Sequence, residues 1–111
     1  MKMPLSEIID RYTITKLKSE RTNEDVSDEL RTYKTEIESP VYTEKSSQIA
    51  SFIDRLYEVN GEMWDTEGDI RSGVDLPLEE IGRLALKCRD INCKRNEIKA
   101  EVVDAFAEGF K

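Results

Sequence analysis

The sequence predicts an all-α protein: a four-helix arrangement dominated by one long antiparallel helical hairpin, dimeric by expectation. Three observations carry this. Glycine (5) and proline (3) are too scarce among 111 residues to punctuate the many turns of an all-β fold. Leu, Ile, Glu, Lys, Arg and Asp dominate instead, a composition that favours helices. Apolar residues recur at threes and fours along most of the chain, the spacing of one helical face. The length suits a single domain over residues 1–111.

The first helix is expected from Ser6 to Arg21, opened by Pro4 and Ser6, with Leu5, Ile8, Ile9, Tyr12 and Leu17 as its apolar side. Thr13, Ile14 and Thr15 are three β-branched residues in a row, a poor local choice that tertiary packing must override. The second helix is expected to be capped by Asn23. It carries Val26, Leu30, Tyr33 and Ile37 at spacings of four, three and four, and Pro40 ends it. The third begins after Thr43 and runs to about Ser72, roughly 45 Å. Its stripe is Ile49, Phe52, Ile53, Leu56, Met63 and Ile70, and Gly61 and Gly68 predict a kink or a close helix approach. Gly73 closes it and Val74 to Pro77 turn the chain. Asp75 then caps the fourth helix, which carries Ile81, Leu84, Cys88, Ile91, Ile98, Val102 and Ala105 to about Ala107. So short a turn makes the last two helices antiparallel neighbours. Two shorter helices cover them incompletely, which predicts self-association as a two-fold dimer.

Composition narrows the functional classes. Asp and Glu (24) exceed Lys and Arg (17) for a net charge of −7, so the basic footprint of a nucleic-acid binder is missing. No apolar run approaches 18 residues, and Met1 to Asp10 hold no apolar signal core, so neither a membrane span nor a secretion signal is expected. Cys88 and Cys93 lie five apart on one predicted helix and point in different directions, which predicts free thiols and a cytoplasmic address. The absence of histidine excludes Ser-His and Cys-His nucleophile pairs and argues against zinc. No cofactor is implied.

The informative residues are polar ones inside apolar stripes. Asn60, Trp64, Glu67 and Arg71 are spaced four, three and four and share a helical face. On the fourth helix, Leu84, Cys88 and Ile91 lead to Arg95, with Asn92 beside it. A buried arginine needs a carboxylate or a ligand, since an unpaired buried charge is too costly. Hairpin geometry sets Arg95 near the level of Leu56 to Asn60 rather than Glu67, and leaves Asp10 and Glu20 on the first helix as alternative partners. Two readings stand: a structural network fixing helix register, or an interhelical pocket in which Trp64 stacks and Arg71 and Arg95 hold a small anion such as a nucleotide. An acidic stripe (Glu58, Glu62, Asp65, Asp69), echoed by Glu97, Glu101 and Asp104, raises a third. Facing carboxylates can hold Mg²⁺, as in the all-α nucleotide pyrophosphohydrolases related to MazG. Here Glu62-x-x-Asp65 and Glu101-x-x-Asp104 stand too far apart for that family, and such stripes usually mark a solvated face.

Three stretches stand out together: Ile9 to Arg21 (IDRYTITKLKSER), Asn60 to Arg71 (NGEMWDTEGDIR) and Cys88 to Lys99. They resemble a family of small α-helical proteins of unknown function, seen in tailed phages and beside bacterial glycan-synthesis genes. The resemblance singles out Asp10, Lys18, Glu20, Arg21, Asn60, Trp64, Glu67, Asp69, Arg71, Asn92 and Arg95. Gly68 departs from the acidic residue usual there, which favours the mixed-charge network over a metal-binding stripe. The resulting expectation is a non-enzymatic binding or interaction protein with a ligand site at Asp10, Lys18, Arg21, Asn60, Trp64, Glu67, Arg71, Asn92 and Arg95. Its expected partners are a second copy of itself and a small anion or another protein.

Overall fold

The computed structural model describes residues 3–72 and 76–106, and the side chains of all of these except Val41, Arg71 and Ser72. Four α-helices account for most of them: α1 (Leu5–Arg21), α2 (Ser27–Ile37), α3 (Ser46–Ser72) and α4 (Leu78–Phe106). A 3-10 turn over Pro40–Lys45 joins α2 to α3, and no strand occurs among the described residues. The expected all-α class is what the chain adopts. No described helix is long and apolar enough to cross a membrane.

The four stripes meet in one core. Leu5, Ile8 and Ile9 of α1, Ile37 of α2, Ile49, Phe52, Leu56 and Val59 of α3, and Ile91, Ile98 and Val102 of α4 form a single buried cluster. Burial of such side chains is worth about 1.5–3 kcal/mol each and is the main force holding the helices together. Across α3 and α4, Phe52 meets Phe106 edge-on with ring centroids 6.5 Å apart, and Arg55 forms two hydrogen bonds to Glu101 at 3.0 and 2.5 Å. Lys45 donates to the Ala105 carbonyl at 3.1 Å, placing a cation at the negative end of α4.

Helix boundaries differ from the expected ones where several residues could do the same work. Helix α1 starts one residue early, with the Pro4 carbonyl accepting from the Glu7 and Ile8 amides, and Ser6 lies inside the helix, buried. Asn23 does not cap α2. The N-cap position is Val26 and carries no side-chain cap; just ahead of it the Asp25 carboxylate accepts from the Ser27 amide at 3.1 Å and from its hydroxyl at 2.7 Å. These hydrogen bonds hold the Asp25 carboxyl below its usual range. Pro40 opens the 3-10 turn, which delays α3 to Ser46. Neither glycine of α3 breaks the helix. A Cβ at Gly61 would sit 3.8 Å from both Leu17 and Arg21, ordinary contact, and one at Gly68 would meet nothing within 4 Å. The expected turn elements Gly73, Val74 and Asp75 lie outside the described residues.

The molecule measures 51 × 31 × 26 Å. Helix α1, at 17 residues, is about 25 Å long. At the start of α4, Leu78 is 86% exposed, Leu86 53% and Ile81 37%.

Candidate functional site: a buried carboxylate held by three helices

Asp10 lies on the apolar side of α1 between Ile9 and Thr13, and only 1% of it is exposed. A carboxylate there stays ionised only if every oxygen is held. Oδ1 accepts from Asn60 Nδ2 on α3 at 3.0 Å and from Arg95 Nε on α4 at 3.0 Å. Oδ2 accepts from Arg95 at 2.5 Å and has the Lys99 ammonium 3.9 Å away. One side chain therefore ties α1, α3 and α4 together through a forked guanidinium–carboxylate pair, the strongest form of ion pair.

Its neighbours complete the network. The Thr13 hydroxyl donates to the Asp10 carbonyl at 2.7 Å and accepts from Asn60 at 2.8 Å. Lys99 donates to Glu7 at 2.6 Å. The remaining Arg95 nitrogen donates to Asn92 Oδ1 at 3.3 Å, so all three guanidinium nitrogens are engaged within the chain. Among the described residues, no buried polar side-chain atom lacks a partner. Burial pushes the Asp10 carboxyl up. The hydrogen bonds from Arg95 and Asn60, with the charges of Arg95 and Lys99, outweigh that and leave it below the usual carboxylate range. The hydrogen bond to Asp10 in turn raises Arg95.

Of the nine residues expected to form a site, the structure brings four together: Asp10, Asn60, Asn92 and Arg95. Two stand elsewhere on α1. Arg21 pairs with Asp65, and Lys18 lies 4.0 Å from Glu24. Eleven residues separate Asp10 from Arg21, about 16 Å along a helix, so a single small ligand does not touch both. Trp64 is half-buried, with no stacking or cation–π partner among the described residues, and Glu67 is exposed. The carboxylate held by Arg95 belongs to Asp10, as one of the sequence alternatives had it. The Arg71 side chain lies outside the described residues.

Three members of the network were not expected: Glu7, Thr13 and Lys99. Each was signalled by spacing. Glu7 and Thr13 flank Asp10 at three residues either way, and Lys99 follows Arg95 by four, so all share the faces of residues already marked.

The acidic stripe is partly neutralised. Asp65 pairs with Arg21 and Glu101 with Arg55, while Glu58 and Glu62 are exposed. Among the described residues, no group of three or more acidic or cysteine side chains is placed to hold a metal ion. Cys88 is half-buried, Cys93 is exposed, and both are free thiols. Compared with known proteins, the chain matches no protein-family model, no curated protein and no solved structure.

Proposed function

We propose that this chain is a non-enzymatic helical interaction protein that works as a homodimer, with the Asp10–Arg95 network serving as an internal lock on helix register. The observation that carries the reading is the internal neutralisation of the network. Arg95 is taken up by Asp10 and Asn92, Lys99 by Glu7, and Arg21 by Asp65. A ligand seeking the Arg95 guanidinium would have to displace a buried carboxylate, which then has no other charge-assisted partner than Lys99.

The apolar side chains at the start of α4 support the interaction half of the reading. Leu78, Ile81 and Leu86 are exposed in the first three turns of α4. A second copy covering this end by two-fold symmetry would remove them from water. In this reading α3 and α4 form a long antiparallel hairpin. Phe52–Phe106, Arg55–Glu101 and the Asn60–Asp10–Arg95 bridge support it, because they climb α3 as they descend α4. Kinship with the small helical family is part of the same proposal. It rests on the three matching stretches of sequence alone.

Sedimentation velocity across a hundredfold concentration range tests the reading. A dimer is expected, dissociated by Leu78→Glu with Leu86→Glu while helicity by circular dichroism stays unchanged. A monomer at every concentration sinks it.

A further inference from the structure

We propose that the groove between α1 and α2 binds a small phosphate ester of about mononucleotide size, a site separate from the Asp10 network and independent of dimerisation. The groove is shallow and open to solvent, offers about 410 Å³ and is lined by Tyr12, Lys16, Ser19, Glu20, Leu30, Arg31 and Lys34. That volume lies within the range of small-molecule sites.

The chain's use of its cations points to this place. Every arginine whose side chain is described has a carboxylate within 4.0 Å, and so do Lys18 and Lys99. Such pairing is what an acidic chain of net charge −7 should show. Lys16 and Lys34 have no carboxylate partner among the described residues, and both line the same groove, with Arg31 beside them. Lys45 is spent on the Ala105 carbonyl; Lys87 and Lys94, exposed like Lys34, have no carboxylate partner among the described residues either, but they stand on α4 and do not line this groove.

The carboxylates at the groove offset part of this charge. Glu20 lines it as an anion that accepts the Tyr57 hydroxyl hydrogen bond, and Asp28 takes up Arg31 at 3.5 Å, so Lys16 and Lys34 are the cations the groove has to spare. The Lys16 ammonium rests 5.1 Å from the Tyr57 ring centroid, which limits its freedom before any ligand arrives. The Ser19 hydroxyl donates to the Lys16 carbonyl at 2.8 Å. The half-buried Tyr12 and Leu30 give the groove an apolar side. Two ammonium groups beside an apolar wall, outnumbering the one lining carboxylate, suit a phosphate attached to a flat or apolar group. A bare anion would leave that wall unused.

The test is an NMR titration of the isotope-labelled full chain with adenosine monophosphate, inorganic phosphate, adenosine and a hexaglutamate peptide. Adenosine monophosphate is expected to shift the amides of Lys16, Ser19, Leu30, Arg31 and Lys34 saturably, with a Kd of about 1 mM or tighter. Inorganic phosphate should bind the same amides more weakly, and adenosine should not shift them. The exposed Lys34→Glu change should weaken binding about tenfold with the thermal melt unchanged, and Lys16→Gln should weaken it less. The proposal is overturned if shifts are absent at about 10 mM, if they follow ionic strength alone, or if they centre on Arg95 and Lys99. Hexaglutamate occupying the groove where adenosine monophosphate does not would equally overturn it, in favour of an acidic protein partner.

Discussion

Asp10 and Arg95 form an ion pair whose two ends sit in different surroundings, and this decides what each mutation does. Asp10 is 1% exposed, whereas the Arg95 side chain keeps 27% of its surface in contact with solvent. Replacing Arg95 by Met strands a buried carboxylate and is expected to cost about 3–5 kcal/mol near neutral pH, measured by urea unfolding. Adding Asp10→Asn removes the stranded charge and keeps an oxygen for Asn60, so the double variant should recover most of the loss. A double variant as unstable as Arg95→Met alone would show that the arginine stabilises by packing, not by pairing. The pH dependence follows from the depressed Asp10 pKa. Between the folded value and the unfolded value of about 3.9, the unfolded chain binds more protons. The pair's contribution is therefore complete above that window and is lost as pH falls through it. Arg95→Met removes the leading influence that holds the Asp10 carboxyl down while its burial stays, so the carboxyl is expected to move up and the cost of the substitution to shrink on acidification from about pH 7 to pH 4. A cost that does not change with pH would mean Asp10 is not the group left uncompensated. That Arg95 needs a partner was legible from its place in an apolar stripe. Which partner was not, because Asp10 and Arg95 are 85 residues apart and meet only through the docking of α1.

At the scale of elements, periodicity located all four helices, since each owes its existence to a stripe that meets a common core. It failed at ends. Asn23 and Asp25 are both good capping types, yet α2 begins behind Val26 with no side-chain cap, and Asp25 bonds Ser27 from outside the helix. Thr13 is a similar case in reverse. Its branching argued against helix, yet its hydroxyl is wholly buried and joins Asp10 to Asn60. Thr13→Val keeps the branching and removes the hydroxyl, so it should cost about 1–3 kcal/mol by leaving part of the Asn60 amide unsatisfied. No loss in thermal or urea unfolding would place Thr13 outside the network. Gly68 offers the opposite expectation. It sits within an unbroken α3, and an added Cβ would touch nothing. Gly68→Ala should therefore stabilise the isolated chain by up to about 1 kcal/mol, read as a rise of a few degrees in Tm.

At the scale of the whole molecule, the same Gly68→Ala change becomes a probe of assembly. The open space around that glycine is space within one copy. The end of the molecule carrying Leu78, Ile81 and Leu86 keeps large apolar side chains in water, an arrangement that association relieves. When folding and dimerisation are linked, mass action makes Tm rise with protein concentration. The expected result is a Tm that rises measurably over a hundredfold concentration range in the native chain. The Leu78→Glu, Leu86→Glu variant should have a Tm independent of concentration, because both side chains are exposed in one copy and matter only between copies. Gly68→Ala then sorts the geometry. If it raises Tm equally at all concentrations, Gly68 faces solvent in the dimer and the interface is confined to α4. If it lowers Tm only where the dimer forms, α3 of the second copy lies close against that glycine, and the interface spans both long helices. A native Tm indifferent to concentration, with the Leu78 and Leu86 substitutions equally silent, would leave the α4 end as plain solvated surface and remove the dimer from the functional reading. The Asp10 lock would survive that outcome, since every one of its partners lies within a single chain.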